Sequence, residues 1–316
     1  MTTTTRNSAR ALGAAADTEP ADAPPQAPPP AAPPPTPSAA TQLPERPLVI
    51  IEPSSALGAV RLADIWAYRE LLYFLIWRDV KVRYKQTALG VIWAVLQPLF
   101  MMLIFTIFFG RLAGVQTDGV PYPLFAFVGL VPWTFFANTI STSGNSLVGN
   151  AHLITKVYFP RLIVPSAAVG AGLVDFALAF VILVGIMAYY GVAPTGNLLM
   201  LPVVLALTVL FTLAVGTWLA ALNVKYRDVR FALPFLVQLW LFVSSVIVPS
   251  SGVPQPWRRL LILNPVSGLI EGWRAALLGL PFDWPALAVA AGLTAAALFT
   301  AAYYFRRVEK DFSDII

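Results

Sequence analysis

At 316 residues, 58% of them hydrophobic and only 12% charged, with a mean hydropathy of +0.71, the chain is excluded from the class of ordinary water-soluble domains. A formal net charge of +5 and a pI near 9.6 invite a nucleic-acid reading. The basic residues, however, flank apolar runs instead of forming a patch, which is how charge orients a protein in a bilayer, so no nucleic-acid partner is expected. The absence of cysteine excludes a disulfide framework and a thiolate metal site, and one histidine, His152, excludes a His-based zinc cluster within one chain.

Residues 1–53 differ in composition from the rest. Ten of the eighteen residues from Pro20 to Pro37 are proline and most others are alanine. Such a stretch buries no core and is expected to be a disordered, extended cytoplasmic tail. It lacks a basic segment followed by an apolar run and a small-residue cleavage site, so it does not read as a signal peptide. Residues 54–316 are then expected to form the folded domain.

Leu71 to Trp77 is an apolar run about 10 Å long as a helix, too short to cross, and Arg78, Asp79, Lys81, Arg83 and Lys85 follow at once. The expectation is a helix lying in the headgroup layer, with Trp77 and its aromatic neighbours at the interface and its cations reaching phosphates. Next come uncharged runs at 86–110, 119–155, 176–224, 231–257 and 284–305. Each holds at least one span of about 20 residues. Six spans are predicted, at 89–109, 121–143, 163–190, 198–222, 231–249 and 284–305, giving an all-α polytopic membrane protein. With six spans both termini share a side. That side carries 17 Lys and Arg residues against Arg111, Arg258, Arg259 and Arg274 on the other, so both termini are expected in the cytoplasm.

Within and between the spans a few residues attract attention. Trp93, Phe100, Trp133 and Phe136 load the first two spans with aromatic rings; such rings usually meet lipid, but flat faces lining a pathway would suit sugars. Asn145 to Arg161 mixes apolar residues, Tyr158 and Phe159 among them, with Asn150, His152, Lys156 and Arg161, and Pro160 should end any helix there; it can cap the bundle or anchor a cytoplasmic partner. Asp175 lies near the middle of the third span. A charge there costs several kcal/mol unless paired or wetted, so it is either a transport site or a carboxylate satisfied by a neighbouring helix, which Gly170 and Gly172 would let approach closely. The loop Asn223 to Arg230 alternates charge through Arg227 and Asp228 and reads as a turn on the basic side. The segment 249–283 reads as two short helices broken at Asn264-Pro265, with Glu271 and Arg274 three apart on one face, lying on or dipping into the outer leaflet.

Motifs for chemistry are missing: there is no phosphate-cradling Gly-rich loop, no nucleophile elbow, no His-Glu-x-x-His and no acidic cluster with metal-ligand spacing. An ion-coupled secondary transporter using Asp175 is the second reading, though it calls for more intramembrane ionisable groups and an internal repeat. A membrane transferase acting on lipid-linked sugars would need acidic or His residues clustered at one face.

Four stretches carry a family resemblance: Trp77 to Leu99 (WRDVKVRYKQTALGVIWAVLQPL), Leu153 to Pro165 (LITKVYFPRLIVP), Val224 to Val229 (VKYRDV) and Leu260 to Leu278 (LLILNPVSGLIEGWRAALL). In order along residues 65–316, they resemble the type-2 ABC exporter permeases that move polysaccharide or polyol phosphate. The resemblance implies two six-span permeases around one pathway, a homodimer in the bacterial inner membrane, driven by a cytoplasmic ABC ATPase dimer that binds ATP and Mg. No cofactor is expected in this chain. It also implies a gate helix holding Trp77, Arg78, Asp79, Lys81, Arg83 and Lys85, and an ATPase-coupling helix in Ser146 to Arg161, holding His152, Lys156, Tyr158, Phe159, Pro160 and Arg161. A second, smaller contact would be Arg227 and Asp228, and outer re-entrant helices would hold Asn264, Glu271 and Arg274. The implied cargo is a glycan on undecaprenyl diphosphate, O-antigen of lipopolysaccharide first among candidates, whose diphosphate would meet Arg78, Lys81, Arg83 and Lys85.

Overall fold

A computed structural model of the chain describes residues 66–85, 90–309 and 312; the Pro/Ala-rich stretch 1–53 lies outside them. Every regular element among the described residues is helical. In chain order these are α1 (Arg69–Lys85), α2 (Gly90–Phe105), α3 (Tyr122–Gly149), α4 (Ala151–Lys156), α5 (Ile163–Tyr189), α6 (Leu201–Lys225), α7 (Val229–Val243), α8 (Trp257–Ile262), α9 (Pro265–Leu278) and α10 (Trp284–Glu309). A π-helical stretch, Thr106–Leu112, prolongs α2, and a 3-10 turn, Gly196–Met200, leads into α6.

Local chemistry sets several boundaries. α3 and α6 start with proline in the first turn, where no backbone N–H is missed. α9 starts at Pro265 with Asn264 as its cap, the Asn264 Oδ1 accepting from Val266 N at 3.1 Å, and it stops at Gly279, whose φ of 72° suits a residue without Cβ. α4 ends at Lys156, four residues before Pro160.

Among the described residues, five helices are long and apolar enough to cross a membrane: Val95–Leu112, Tyr122–Gly149, Ile163–Tyr189, Gly196–Lys225 and Trp284–Glu309. The remaining expected span, 231–249, is shorter than anticipated. α7 has 15 residues, about 22 Å of helix against about 30 Å of hydrocarbon, and from Ser244 the chain continues as turns. The reason is downstream. Arg274 on α9 donates to the carbonyls of Ser245 and Val246, satisfying backbone groups that a continuous helix would have paired internally.

α3 is the hub. Leu124, Phe127, Val128, Leu130 and Val131 are buried along it, and it packs on α2, α5, α6, α7 and α9. One end of the bundle gathers Lys156, Arg161, Lys225, Arg227, Arg230, Arg306 and Arg307 from the termini of α4, α5, α6, α7 and α10; it is called the basic end below. Beneath those charges a cluster of Leu75, Leu147, Ile154, Phe159, Ile163, Val224 and Phe312 ties α1 to this end.

Candidate functional site

Besides the apolar cluster at Leu75, polar side chains tie α1 to the bundle near its middle and toward its C-terminal end. Near its middle, Arg78 forms a fork: Nε and Nη2 reach Asp79 Oδ1 at 3.0 and 2.7 Å, and Nη2 also donates to Asn150 Oδ1 at 2.8 Å. Asn150 is the joint between α3 and α4, and its Nδ2 donates to Ser146 O at 2.8 Å. Toward its C-terminal end, Arg83 pairs with Asp175 Oδ2 while the Tyr84 hydroxyl donates to Asp175 Oδ1. Burial raises the Tyr84 pKa above its ordinary 10.0, with Arg83 pulling the other way. The phenol therefore keeps its proton, and its donor role, across the physiological range.

Close packing makes the second attachment feasible. A Cβ on Gly170 would come within 2.5 Å of Ile76 Cδ1, and one on Gly172 would collide with the Thr139 hydroxyl of α3. The two glycines singled out in the sequence thus serve different neighbours, one admitting α1 and the other α3. Asp175 is satisfied by α1 and is not an isolated carboxylate.

Of the six gate-helix candidates, Arg78, Asp79 and Arg83 are engaged within the chain. Trp77, Lys81 and Lys85 are exposed and, with Tyr73, repeat every four residues along one face. The coupling candidates also divide. His152, Lys156 and Tyr158 are exposed, Tyr158 at 75%, whereas Phe159 is 4% exposed and packed in the cluster beneath the basic end. Pro160 and Arg161 are half-buried. Arg161 donates to the Glu309 carbonyl and lies 5.7 Å over the Phe312 ring, fastening the end of α10. Across the same end, Tyr226, Arg227 and Asp228 are exposed. Their loop is anchored by Asn223, whose buried amide donates to Gly144 O and Asn145 Oδ1 at 3.0 Å each.

The four aromatic candidates separate as well. Trp93 and Phe100 stand 58% and 54% exposed on α2. Trp133 and Phe136 are core instead: Phe136 stacks on Phe211 at 5.5 Å and meets Trp240 edge-on at 5.2 Å, with Trp133 at 5.8 Å. Those two hold α3, α6 and α7 together and offer no open wall within one chain. α7 also turns Phe231, Phe235 and Phe242 outward, which sequence reading passed over as plain span residues.

At the opposite end Asn264 is a four-way connector. Its Oδ1 accepts from Val266 N and Trp240 Nε1 (3.0 Å), and its Nδ2 donates to Val243 O at 3.2 Å and Ser244 Oγ at 3.0 Å. Arg274 is fully buried. Besides its two carbonyl acceptors it pairs with Glu271 at 3.2 Å and lies 3.5 Å over the Phe125 ring, while Glu271 also accepts from Ser250 N at 3.1 Å. Among the described residues no group of three or more His, Cys, Asp or Glu side chains is placed to hold a metal ion.

The arrangement is therefore a helical membrane bundle with exposed polar segments at its basic end, a helix bracing two of its elements and a pinned cap opposite. A family model described as "ABC-2 type transporter" matches residues 70–278. The chain is 32% identical over 258 residues to the O-antigen export system permease protein RfbA of Myxococcus xanthus, covering 80% of this chain and 98% of that protein. It is 29% identical over 206 residues to an RfbA of Klebsiella pneumoniae, with 65% and 79% covered. To the polysialic acid transport protein KpsM of Escherichia coli it is 22% identical over 202 residues, with 64% and 78% covered.

Proposed function

The chain belongs to the ABC-2 type transporter family, and from that premise we propose that it exports a lipid-linked polysaccharide of the O-antigen kind across the bacterial inner membrane. It is a multi-pass protein of that membrane and a transport subunit. The observation that carries the cargo is the match along 98% of an O-antigen export permease. Family membership equally supports a separate cytoplasmic ABC ATPase, binding ATP and Mg, as the source of energy.

In this reading the basic end faces the cytoplasm, in keeping with the positive-inside bias, and both termini lie there. Six crossings result if α7 and the turns after it together complete the span that α7 alone leaves short. α8 and α9 then form the re-entrant cap of the exit, held by Asn264, Glu271 and Arg274. Two copies of the chain enclose the pathway. The exposed faces of α2 and α7, with Trp93, Phe100, Phe231, Phe235 and Phe242, suit that role because aromatic faces pass sugar rings without gripping them.

The ATPase docks on His152, Lys156, Val157 and Tyr158, with Arg227 and Asp228 as a smaller contact. Its movement reaches α1 through Asn150 and Arg78, and α5 through Arg83, Tyr84 and Asp175. Lys81 and Lys85, exposed beside Trp77, take the carrier diphosphate, while Arg78 and Arg83 keep α1 in place. The ion-coupled alternative loses its centre, since Asp175 already has a cation and a phenol as partners.

Deleting the gene tests the proposal. Surface polysaccharide should disappear while its lipid-linked precursor accumulates inside the cell, and the wild-type chain should restore export. Unchanged surface polymer in the deletion strain would reject the assigned cargo.

A further inference from the structure

Between α6, α7 and α10, and floored by Ile140 of α3, lies a groove of about 490 Å³. That is within the roughly 300–1,000 Å³ of sites that bury a ligand. Its walls include Ala214, Trp218, Leu233, Val237 and Ala297, with Thr300 as the one polar side chain. Trp218, Leu236 and Thr300 are exposed, so the groove opens sideways from the bundle. It is nearer the basic end: Leu233 is four residues from the start of α7, and Trp218 seven from the end of α6.

Each of the three wall helices then carries a cation on its groove-facing stripe, one or two turns further toward the basic end. On α6 Lys225 follows Trp218 by seven residues; on α7 Arg230 precedes Leu233 by three; on α10 Arg307 follows Thr300 by seven. Those offsets are about 5–10 Å along a helix, the distance that separates the top of an acyl chain from its phosphate. All three cations are exposed, Lys225 lying over Tyr226 and Arg230 over Phe231. One exposed cation on each wall helix, set toward the basic end from an apolar slot, disfavours a second copy of the chain there, which would bring the same charges against them, and suits an anionic headgroup.

We propose that this groove is a binding site for an anionic glycerophospholipid of the inner leaflet. One acyl chain lies against Trp218, Leu233 and Ala297, and the phosphate meets Lys225, Arg230 and Arg307. The lipid wedges α7 against α6 and α10, and fills space that would otherwise lack packing partners in the hydrocarbon layer. The inference rests on the orientation proposed above and not on the identity of the cargo.

The test uses the full-length permease, stripped of lipid in detergent, offered equimolar phosphatidylglycerol and phosphatidylcholine and examined by native mass spectrometry. One phosphatidylglycerol should be retained per chain, preferred by about ten-fold or more, and each of Lys225→Gln, Arg230→Gln and Arg307→Gln should lower that preference roughly five-fold. Ala297→Trp, which fills the groove, should abolish retention. Because that variant can also disturb folding, wild-type tryptophan fluorescence supplies a second readout. Brominated-chain phosphatidylglycerol should quench it more than the brominated choline lipid, and the difference should shrink in Trp218→Phe. Equal retention of both lipids, equal quenching by both, or retention of a polyprenyl diphosphate in preference to phosphatidylglycerol would overturn the proposal. ATPase recovery from the same preparation reports on the exporter reading separately.

Discussion

Arg78 on α1 donates at 2.8 Å to the side chain of Asn150, which lies 72 residues later at the joint between α3 and α4. Five residues further along α1, Arg83 holds Asp175 of α5. One short helix therefore bridges the joint between α3 and α4 and the middle of a membrane-spanning helix. A rigid helix is the element best suited to carry displacement between two such points.

The bridge predicts a particular pattern of loss. Arg78→Ala and Asn150→Ala should each lower export while leaving permease yield and ATPase recovery near wild type, because the contact is partly exposed and worth about 0.5–1.5 kcal/mol to folding. The double variant should export no worse than the poorer single variant. Additive loss of export in a double-mutant cycle would show that the two residues act independently.

Asp175 and Arg83 should behave as a structural pair. Fully buried pairs cost about 3–5 kcal/mol when one partner is removed and exposed pairs about 0–1. With side chains 24% and 34% exposed, Asp175→Asn should cost about 1–3 kcal/mol, read as a drop in the detergent unfolding midpoint. The swap Arg83→Asp with Asp175→Arg should recover part of it. Export that collapses with the proton gradient, with ATP present, would return Asp175 to the role of ion site.

Tyr158 and Phe159 are adjacent and should fail differently. Phe159→Ala removes a buried ring and should lower permease yield, at about 3–5 kcal/mol. Tyr158→Ala should leave yield unchanged and reduce recovery of the ATPase. Equal effects of the two substitutions on yield would remove Tyr158 from the proposed docking face.

Gly172→Ala should destabilise by about 1–3 kcal/mol, the usual cost of overpacking, since its Cβ meets the Thr139 hydroxyl. Adding Thr139→Ala should restore most of the loss. A thermal-unfolding cycle measures both, and no recovery in the double variant would mean that α5 and α3 separate for another reason.

Arg274→Lys should not substitute for arginine. The guanidinium serves the Ser245 and Val246 carbonyls and Glu271 together while lying over Phe125, a task for a planar fork and not a point charge. Both Arg274→Lys and Arg274→Met should lower the unfolding midpoint strongly, by about 3 kcal/mol or more; a lysine variant at wild-type stability would contradict the role.

What the sequence made legible follows from one rule: lipid requires long uncharged helices, so the spans announce themselves by the absence of charge. Glu271 and Arg274 were readable because three residues on a helix make neighbours, and Asn264-Pro265 because a cap beside proline is a local event. Asp175 stood out as costly, yet its partners did not, since Arg83 and Tyr84 lie more than 90 residues earlier and read as ordinary interfacial residues. The early end of α7 was hidden for the same reason, the Ser245 and Val246 carbonyls just past it being satisfied by an arginine about 30 residues downstream. Phe159 and Trp133 share composition with Tyr158 and Trp93. Only the turn after α4 and the packing of α3 decide which rings face inward.

The most direct measurement is recovery of the tagged full-length chain from detergent-solubilised native membranes, with bound proteins identified and counted by mass spectrometry. An ABC ATPase near one copy per chain is the expected result. A folded permease recovered without any ATPase under gentle conditions, together with export that persists after ATP depletion, would contradict the account.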